Sequence, residues 1–289
     1  MFTKGSDPAE RNTSAALHRK GAHMKYGFIG GGNMGGAMAK AAAAVVGGAN
    51  VLLCDRDETT TAALADKLGV TASSYEEIAA GSRLIFVAVK PNLVAPVLEK
   101  LRDMLQARKS ETCVVSIAAG VTIATMTGIL GEDIPLIRMM QNTPVAVGEG
   151  VLVYACAPSA NEADAAALEA SMAAAGKIEP LPEKLIDAAT AVMGCGPAFV
   201  YMFAEALADG GVACGLPRAQ AQTYAAQTLV GAAQMVLQTG KHPGALKDAV
   251  CSPGGSTIVG VHALEQAGMR GAVMNAVIAS YEKTQKLGK

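Results

Sequence analysis

The stretch Phe28-Ile29-Gly30-Gly31-Gly32-Asn33-Met34-Gly35 joins a short apolar run to an alanine-rich helical pattern. Its glycines follow the spacing GxGxxG, in which the first permits a tight turn, the second admits a pyrophosphate and the third lets helix and strand pack closely. The helix start also presents unpaired N–H groups that favour an anion. The stretch therefore predicts a dinucleotide-binding turn, with a simple tight turn as the alternative. The expected cofactor contacts are Gly30, Gly32, Asn33, Met34 and Gly35.

Apolar runs and helical patterns alternate on both sides of this turn, from Lys25 to about Ala157. Such alternation predicts a doubly wound parallel sheet with right-handed crossovers, an α/β fold of Rossmann type. The predicted strands are Tyr26–Ile29, Val51–Cys54, Leu84–Val89, Val114–Ile117, Leu136–Met139, Gly150–Tyr154 and Lys177–Glu179. The predicted helices between them are Met34–Val45, Glu58–Leu68, Leu93–Leu105 and Asn161–Ala175.

The pattern changes to nearly pure helix close to Leu181-Pro182-Glu183. We therefore expect a dinucleotide-binding domain over residues 24–182 and an all-α C-terminal domain over residues 183–289. Glycines and prolines divide the second part into separate helices. The predicted helices are Leu185–Thr190, Pro197–Cys214, Arg218–Thr239, Pro243–Val250, Thr257–Gln266 and Met269–Leu287.

Composition and charge limit the classes of partner. Residues 1–23 are polar, have no apolar period and precede Met24, and we interpret them as an expression leader. The chain has 24 basic and 25 acidic residues, a balance that gives no reason to expect nucleic acid or a membrane as partner. No apolar run reaches the roughly 18 residues of a membrane helix. Six scattered cysteines without a CxxC pair favour a cytoplasmic protein with reduced thiols and no metal site.

The choice of coenzyme depends on a pair of residues that directly follows the second predicted strand. An acid such as Asp55 commonly accepts the ribose 2′-hydroxyl of NAD, whereas a nearby arginine accommodates the 2′-phosphate of NADP. Arg56 follows Asp55 directly, so the local signal is mixed. Because an arginine beside an acid can still reach the phosphate, we expect NADP(H) to be preferred and NAD(H) to be accepted. An exposed turn with a weak ion pair is the alternative.

Two further segments follow predicted strands and complete the expected cofactor cleft. Loops at the carboxyl ends of parallel strands border the ligand crevice in such folds. Lys90 is expected at the cofactor or substrate, with a solvated surface lysine as the alternative. The first segment consists of Ala88, Val89, Lys90 and Pro91. The second consists of Ala118 and Ala119, which are expected to form a wall for the nicotinamide.

A second glycine-rich turn, Ser252-Pro253-Gly254-Gly255-Ser256-Thr257, opens a helical pattern near the C-terminus. The glycine pair lets backbone approach a ligand, and the helix start again favours an anion. One anion-binding turn in each half predicts a cofactor phosphate at one and a small acidic substrate at the other. An ordinary Ser/Thr helix cap is the alternative.

These segments together resemble the pyrroline-5-carboxylate reductases, the enzymes of the last step in proline synthesis. The resemblance covers essentially residues 25–287, and its glycine-proline segments are the specific ones. Three positions depart from the family pattern: Gln141 replaces the usual proline, Cys195 a serine, and Ser256 a threonine or alanine. The matching segments are Phe28–Gly35, Ala88–Pro91, Ser116–Gly120, Arg138 with Asn142–Pro144, Gly194–Phe199, Gln227-Thr228 and Ser252–Ile258.

The resemblance implies NAD(P)H-dependent reduction of 1-pyrroline-5-carboxylate to L-proline, by hydride transfer to a cyclic imine. It implies that backbone N–H groups around Gly255, Ser256 and Thr257 hold the substrate carboxylate, and that Glu183 contacts the product. It also implies that the helix opened by a turn at Gly194–Pro197 and the next two helices build a dimer interface, in which each subunit helps complete the other's site. Members of the family form dimers and rings of dimers.

The chemistry of imine reduction makes a modest demand on catalytic groups. A carbonyl reductase usually requires a strong acid, but a ring nitrogen can enter already protonated, so that hydride neutralises an existing charge. Positioning and one polar group near the nitrogen then suffice. The hydroxyl of Thr257 can accept from the ring N–H or relay a proton, and Thr257 is therefore the candidate catalytic residue.

Two other functions compete with this interpretation. A β-hydroxyacid dehydrogenase shares the domain plan but requires a helix-borne lysine, and neither Lys184 nor Lys247 lies in a GxxxK-like context. The other is a non-catalytic NAD(P)-binding redox sensor. The intact carboxylate and imine positions argue against it.

Overall fold

The computed structural model describes residues 24–287, so the predicted leader over residues 1–23 lies outside the described part. Eight strands form one sheet in the order β3-β2-β1-β4-β5-β6-β7-β8. The pairs β1–β2, β1–β4, β2–β3, β4–β5 and β7–β8 are parallel. The strands are β1 Lys25–Ile29, β2 Val51–Cys54, β3 Thr71–Ala72, β4 Ser82–Val87, β5 Cys113–Ser116, β6 Leu136–Gln141, β7 Gly150–Cys156 and β8 Gly176–Pro180.

Twelve α-helices lie within the described residues, and two of them, α3 and α5, were not predicted. Short 3₁₀ turns lie at Gly48–Asn50, Pro91–Leu93, Gln106–Arg108 and Thr143–Val147. The helices are α1 Asn33–Val46, α2 Glu58–Leu68, α3 Tyr75–Gly81, α4 Val94–Leu105, α5 Ile123–Leu130, α6 Glu162–Ser171, α7 Glu183–Ala189, α8 Gly196–Ala213, α9 Arg218–Thr239, α10 Pro243–Ala249, α11 Ser256–Gln266 and α12 Met269–Leu287.

Side-chain caps fix where three of these helices begin. Asp57 accepts a hydrogen bond from the Thr60 N–H at the start of α2. Ser74 and Glu77 form a capping box at α3, and Asn161 forms one with Asp164 at α6. Each box satisfies N–H groups that a helix start leaves without an intrahelical partner.

The chain divides into two compact units. The first contains residues 24–116, 126–137 and 156–174, and the second contains residues 117–125, 138–155 and 175–287. Fully buried apolar side chains on adjacent strands make the core of the first unit, where the rings of Phe28 and Phe86 stack with centroids 4.4 Å apart. Burial of such runs on both faces is typical of parallel sheets. The predicted domain boundary after residue 182 stays a prediction.

The predicted turn at Gly194–Pro197 is wrong, because one helical stretch continues from Glu183 to Ala213. Residues Thr190–Gly194 form a π-helical turn, in which the Cys195 N–H donates to the Thr190 carbonyl at 3.0 Å. Pro197 has no N–H to give to the carbonyl four residues before it, that of Met193. The Asn142 side chain donates to this carbonyl instead, at 3.0 Å. A distant amide therefore lets the helix pass through a glycine-proline segment.

Helices α8 to α12 expose many large apolar side chains. The small core between α8 and α9 consists of Ala208, Ala221 and Ala225, with Val212 packed against it. By length and composition alone, the stretch Glu183–Ala213 is also apolar enough to cross a membrane. In its most apolar part, 11% of the residues are buried. Contiguous exposed apolar surface on such helices is typical of a face that another protein covers. Large exposed side chains here include Val200, Tyr201, Met202, Tyr224, Val230, Met235, Leu237, Val259 and Met274.

Candidate functional site

The glycine-rich turn between β1 and α1 fits a dinucleotide. Gly30 is buried with a φ of 105°, and its N–H donates to the Cys54 carbonyl at 2.8 Å. A Cβ on Gly35 would lie 2.1 Å from the Gly30 carbonyl oxygen, so this glycine permits close helix packing. A Cβ on Gly32 would have nothing within 4 Å, and Gly32 is exposed. The first and third glycines thus serve packing, while the second leaves open space for a ligand.

Asp55 is tied to this turn by its carboxylate. One oxygen accepts from the Gly31 N–H at 2.7 Å, and the other accepts from the Arg56 N–H at 2.6 Å. The Asp55 N–H donates to the Thr61 hydroxyl at 3.0 Å. Within residues 24–287 the exposed Arg56 side chain forms no ion pair with Asp55, so the guanidinium is free to meet a ligand.

Ala88 and Val89 lie beside the same turn. The Ala88 N–H donates to the Ile29 carbonyl at 2.8 Å, and a Cβ on Gly30 would lie 2.4 Å from the Ala88 oxygen. Strand β4 ends at Val87, two residues earlier than predicted. Lys90 is exposed and precedes the 3₁₀ turn Pro91–Leu93. The structure therefore brings Ala88 and Val89 next to the glycine turn, and their contact with the cofactor stays a prediction.

A cluster of charged side chains surrounds Glu183 in the second unit. Oε1 of Glu183 accepts from the Ile123 N–H at 2.7 Å and from Nη1 of Arg138 at 3.3 Å. Nη2 of the same guanidinium donates to Oδ1 of Asp187 at 2.7 Å. The Arg138 side chain is only 4% exposed, whereas those of Glu183 and Asp187 are 33% and 28% exposed. A buried cation thus holds two carboxylates at the surface.

One hydrogen bond ties this cluster to the segment that follows the predicted nicotinamide wall in the chain. Ile123 is the first residue of α5 and follows Ala119 by four positions, so the Glu183 carboxylate caps the helix that continues from the wall. An anion at a helix N-terminus interacts favourably with the helix dipole. Ala118 is buried and Ala119 is half-buried. Glu183, expected at the product, is therefore joined by a hydrogen bond to the segment that follows Ala118 and Ala119, expected at the cofactor.

The second glycine-rich turn leaves a helix N-terminus open. Gly254 has a φ of 69°, and a Cβ on Gly255 would lie 2.4 Å from the Ser252 hydroxyl. Helix α11 begins at Ser256 with Gly255 as its N-cap and has no side-chain cap. The alternative of an ordinary Ser/Thr cap is therefore wrong. Ser256 and Thr257 are exposed.

Arg138, Asp187 and the Ile123 N–H were not predicted as site groups. One signal was available in the sequence: Arg138 is a charged residue inside the apolar run Leu136–Met139. A charge is almost never fully buried unless it is paired. No sequence pattern names its partners, which lie 45 and 49 residues away along the chain.

Comparisons with known proteins identify the family to which the chain is similar. Residues 183–287 match the family model described as pyrroline-5-carboxylate reductase dimerisation, and residues 25–120 match that of NADP oxidoreductase, coenzyme F420-dependent. The pyrroline-5-carboxylate reductase of Pisum sativum is 41% identical over 264 residues, which cover 90% of this chain and 95% of the relative. That of Escherichia coli K12 is 42% identical over 269 residues, covering 92% and 98%.

A solved structure leads to the same family. The Plasmodium falciparum pyrroline carboxylate reductase with NADP bound superposes with a TM-score of 0.82 at 34% identity, covering 92% of this chain and 98% of that one. Fold and site define an NAD(P)-binding oxidoreductase with a helical dimerisation region. The chain belongs to the pyrroline-5-carboxylate reductase family. This membership argues against the two alternatives, a β-hydroxyacid dehydrogenase and a non-catalytic redox sensor.

Proposed function

We propose that this chain reduces 1-pyrroline-5-carboxylate to L-proline at a site formed by Glu183, the Ala118-Ala119 wall and the turn Gly255–Thr257. The observation that carries the proposal is the hydrogen bond between Glu183 and the Ile123 N–H, because it ties an acid to the segment that directly follows the predicted nicotinamide wall. The name of the relatives gives the substrate, a cyclic imine that carries a carboxylate.

The residues of the first unit hold the cofactor. The open space over Gly32 and the N–H groups of Asn33 and Met34 receive the pyrophosphate. Ala88 to Pro91 border the same turn, with Lys90 exposed at the ligand side. Arg56 contacts the 2′-phosphate, and NADP(H) is preferred over NAD(H). When bound, the reduced nicotinamide supplies the hydride.

The residues of the second unit hold the substrate. The uncapped N–H groups at the start of α11 donate hydrogen bonds to the carboxylate. No side-chain cap has to be displaced for this, because the helix start has none. Thr257 places its hydroxyl at the ring nitrogen, where it accepts the N–H or relays a proton. Glu183 supplies negative charge beside the same nitrogen. Positioning and electrostatics therefore provide the catalysis.

A second copy of the chain completes the site. The exposed apolar faces of α8 to α12 pack against the same faces of a partner, as the match to a dimerisation family indicates. The partner then covers the exposed Gly255–Thr257 turn, and each subunit contributes to the other's site. The enzyme is a dimer or a ring of dimers, located in the cytoplasm, and takes no nucleic acid or membrane as partner.

The test follows NADPH and NADH oxidation with 1-pyrroline-5-carboxylate, beside a panel of 2- and 3-hydroxy acids and their keto forms. We expect turnover with the imine alone. Absence of imine-dependent oxidation with both coenzymes would show that the proposed function is wrong.

A variant tests the role of Thr257. Thr257→Ala removes a hydrogen bond to a charged nitrogen, so kcat/KM for the imine should fall about 10- to 100-fold. NADPH affinity, measured by fluorescence titration, should stay within about twofold. Thr239→Ala, the same change at an exposed position ending α9, should leave both values unchanged. An equal loss of turnover and of NADPH binding in Thr257→Ala would contradict the assignment.

A further inference from the structure

We propose that Arg138 is a positioning residue, which fixes the Glu183 carboxylate so that its Oε2 atom meets the substrate ring nitrogen. The inference rests on the proposed function, because it takes Glu183 as the substrate's neighbour. Both hydrogen bonds to the Glu183 carboxylate end on Oε1, one from Ile123 and one from Arg138. Oε2 accepts no hydrogen bond from the residues between 24 and 287, and the Glu183 side chain is one-third exposed.

The guanidinium is suited to this task by its shape and burial. Arg138 divides its planar fork between two acids on α7, with Nη1 on Glu183 and Nη2 on Asp187. Glu183 and Asp187 lie one helical turn apart, so the fork spans a single face of α7. The Arg138 side chain is 4% exposed, so it is enclosed by protein and has little freedom to move. A lysine cannot reproduce two directed bonds at a fixed spacing.

Charge counting explains why a cation is the preferred occupant. Two carboxylates and one guanidinium leave the cluster with one net negative charge, and this charge faces the exposed side of Glu183. A protonated imine nitrogen supplies the positive charge that compensates it. A neutral ring or a keto group does not, so the cluster selects the iminium form of the substrate over carbonyl compounds.

The experiment is a double-mutant cycle on kcat/KM for the imine, with Glu183→Gln and Arg138→Lys. In the unmodified enzyme, Glu183→Gln removes the negative charge beside the iminium nitrogen and should lower kcat/KM about 10- to 100-fold. In the Arg138→Lys background the Glu183 carboxylate is already misplaced, so Glu183→Gln should lower kcat/KM less than about threefold. NADPH affinity should stay unchanged throughout.

A second readout measures the contact to nitrogen without turnover. L-proline has a ring N–H, whereas cyclopentanecarboxylate has the same ring size and carboxylate but no nitrogen. In calorimetric titrations of the NADP⁺-loaded enzyme, we expect the preference for proline to fall about tenfold or more in Glu183→Gln. Arg138→Lys should lose most of the same preference.

A matched control separates positioning from stability. Arg83 pairs with the buried Asp164 at 2.6 Å in the first unit, away from the Glu183 cluster in sequence. Arg83→Lys should lower the melting temperature. In this background, however, Glu183→Gln should lower kcat/KM for the imine by the same factor as in the unmodified enzyme. If Arg138→Lys does not fold, Asp187→Asn is the second variant, since it removes the other anchor of Arg138 at a side chain that is 28% exposed. It should weaken proline preference about two- to fivefold, and not at all when Glu183→Gln is present.

The outcomes are distinguishable. The positioning role would be overturned if the unmodified enzyme turns over the imine but Glu183→Gln lowers kcat/KM equally in the unmodified, Arg138→Lys and Arg83→Lys backgrounds. If Arg138→Lys does not fold, a proline preference that Asp187→Asn leaves unchanged would overturn it as well. Absence of imine turnover in the unmodified enzyme would instead show that the proposed function is wrong.

Discussion

Asp55 commits both of its carboxylate oxygens to backbone N–H groups, those of Gly31 and Arg56. Bonds of this type are stronger than neutral ones, so the carboxylate fastens the end of β2 to the glycine turn. Its lone pairs are partly used before any ribose arrives. The neighbouring Arg56 has an exposed side chain and no competing ion pair with Asp55 among residues 24–287. We therefore propose that the arginine is the residue at this position that decides between the two coenzymes.

Replacing Arg56 tests this conclusion. In Arg56→Ala we expect the KM for NADPH to rise about tenfold, because a charged hydrogen bond to the 2′-phosphate is lost, while the KM for NADH is unchanged. Steady-state kinetics with both coenzymes measure the ratio. Arg102→Ala, an exposed arginine on α4, should leave the ratio as it was. An unaltered coenzyme preference in Arg56→Ala would show that the phosphate contact is wrong.

At the level of secondary-structure elements, two capping boxes of the same design lie in different surroundings. The box of Ser74 and Glu77 at α3 is exposed to solvent. In the box at α6, Asp164 is almost fully buried and its second oxygen pairs with Arg83 at 2.6 Å. Removing one partner of a buried ion pair leaves the other charge uncompensated, whereas losing an exposed cap costs the cap alone.

The free energy of unfolding should reflect this difference. Ser74→Ala should destabilise the protein by about 1 kcal/mol. Asp164→Asn should destabilise it by about 3 kcal/mol, because Arg83 loses its partner. Urea denaturation followed by circular dichroism measures both values. Equal losses in the two variants would mean that the buried pair adds nothing to the cap.

For the whole molecule, the apolar face of the second unit governs assembly. Its helices bury few side chains among themselves, and Met202 on α8 is 69% exposed. Exposed apolar surface of this extent is costly in water, at about 25 cal/mol per Å². Association with a second copy would remove it, so we expect stability and activity to depend on protein concentration.

A charge placed on this face should prevent association. Met202→Glu should convert the oligomer to monomers in sedimentation velocity runs and lower imine turnover more than about tenfold, because the partner no longer completes the site. Val45→Glu, on an exposed apolar residue of the first unit, should change neither property. An intact, active oligomer in Met202→Glu would show that this face is not the interface.

Much of the fold could be predicted from local patterns. The bounds of β2, α2, α9 and α12 agree with the prediction residue for residue, because apolar periodicity and flanking glycines mark their ends. Helices α3 and α5 were missed, since they are short and carry no long apolar stripe. The turn expected at Gly194–Pro197 failed for another reason: the side chain of Asn142 replaces the N–H that proline lacks.

The sequence by itself determined the order of all strands and helices except β3, α3 and α5, the glycine turn after β1, the open turn before α11 and the family. These depend on spacing over a few residues, where steric rules and periodicity act locally. Only the tertiary structure decided that Arg138 joins Glu183 to Asp187, and that Glu183 reaches the Ile123 N–H from 60 positions away. Such contacts arise when the packed sheet and helices bring distant side chains together, and no local pattern encodes which of them meet.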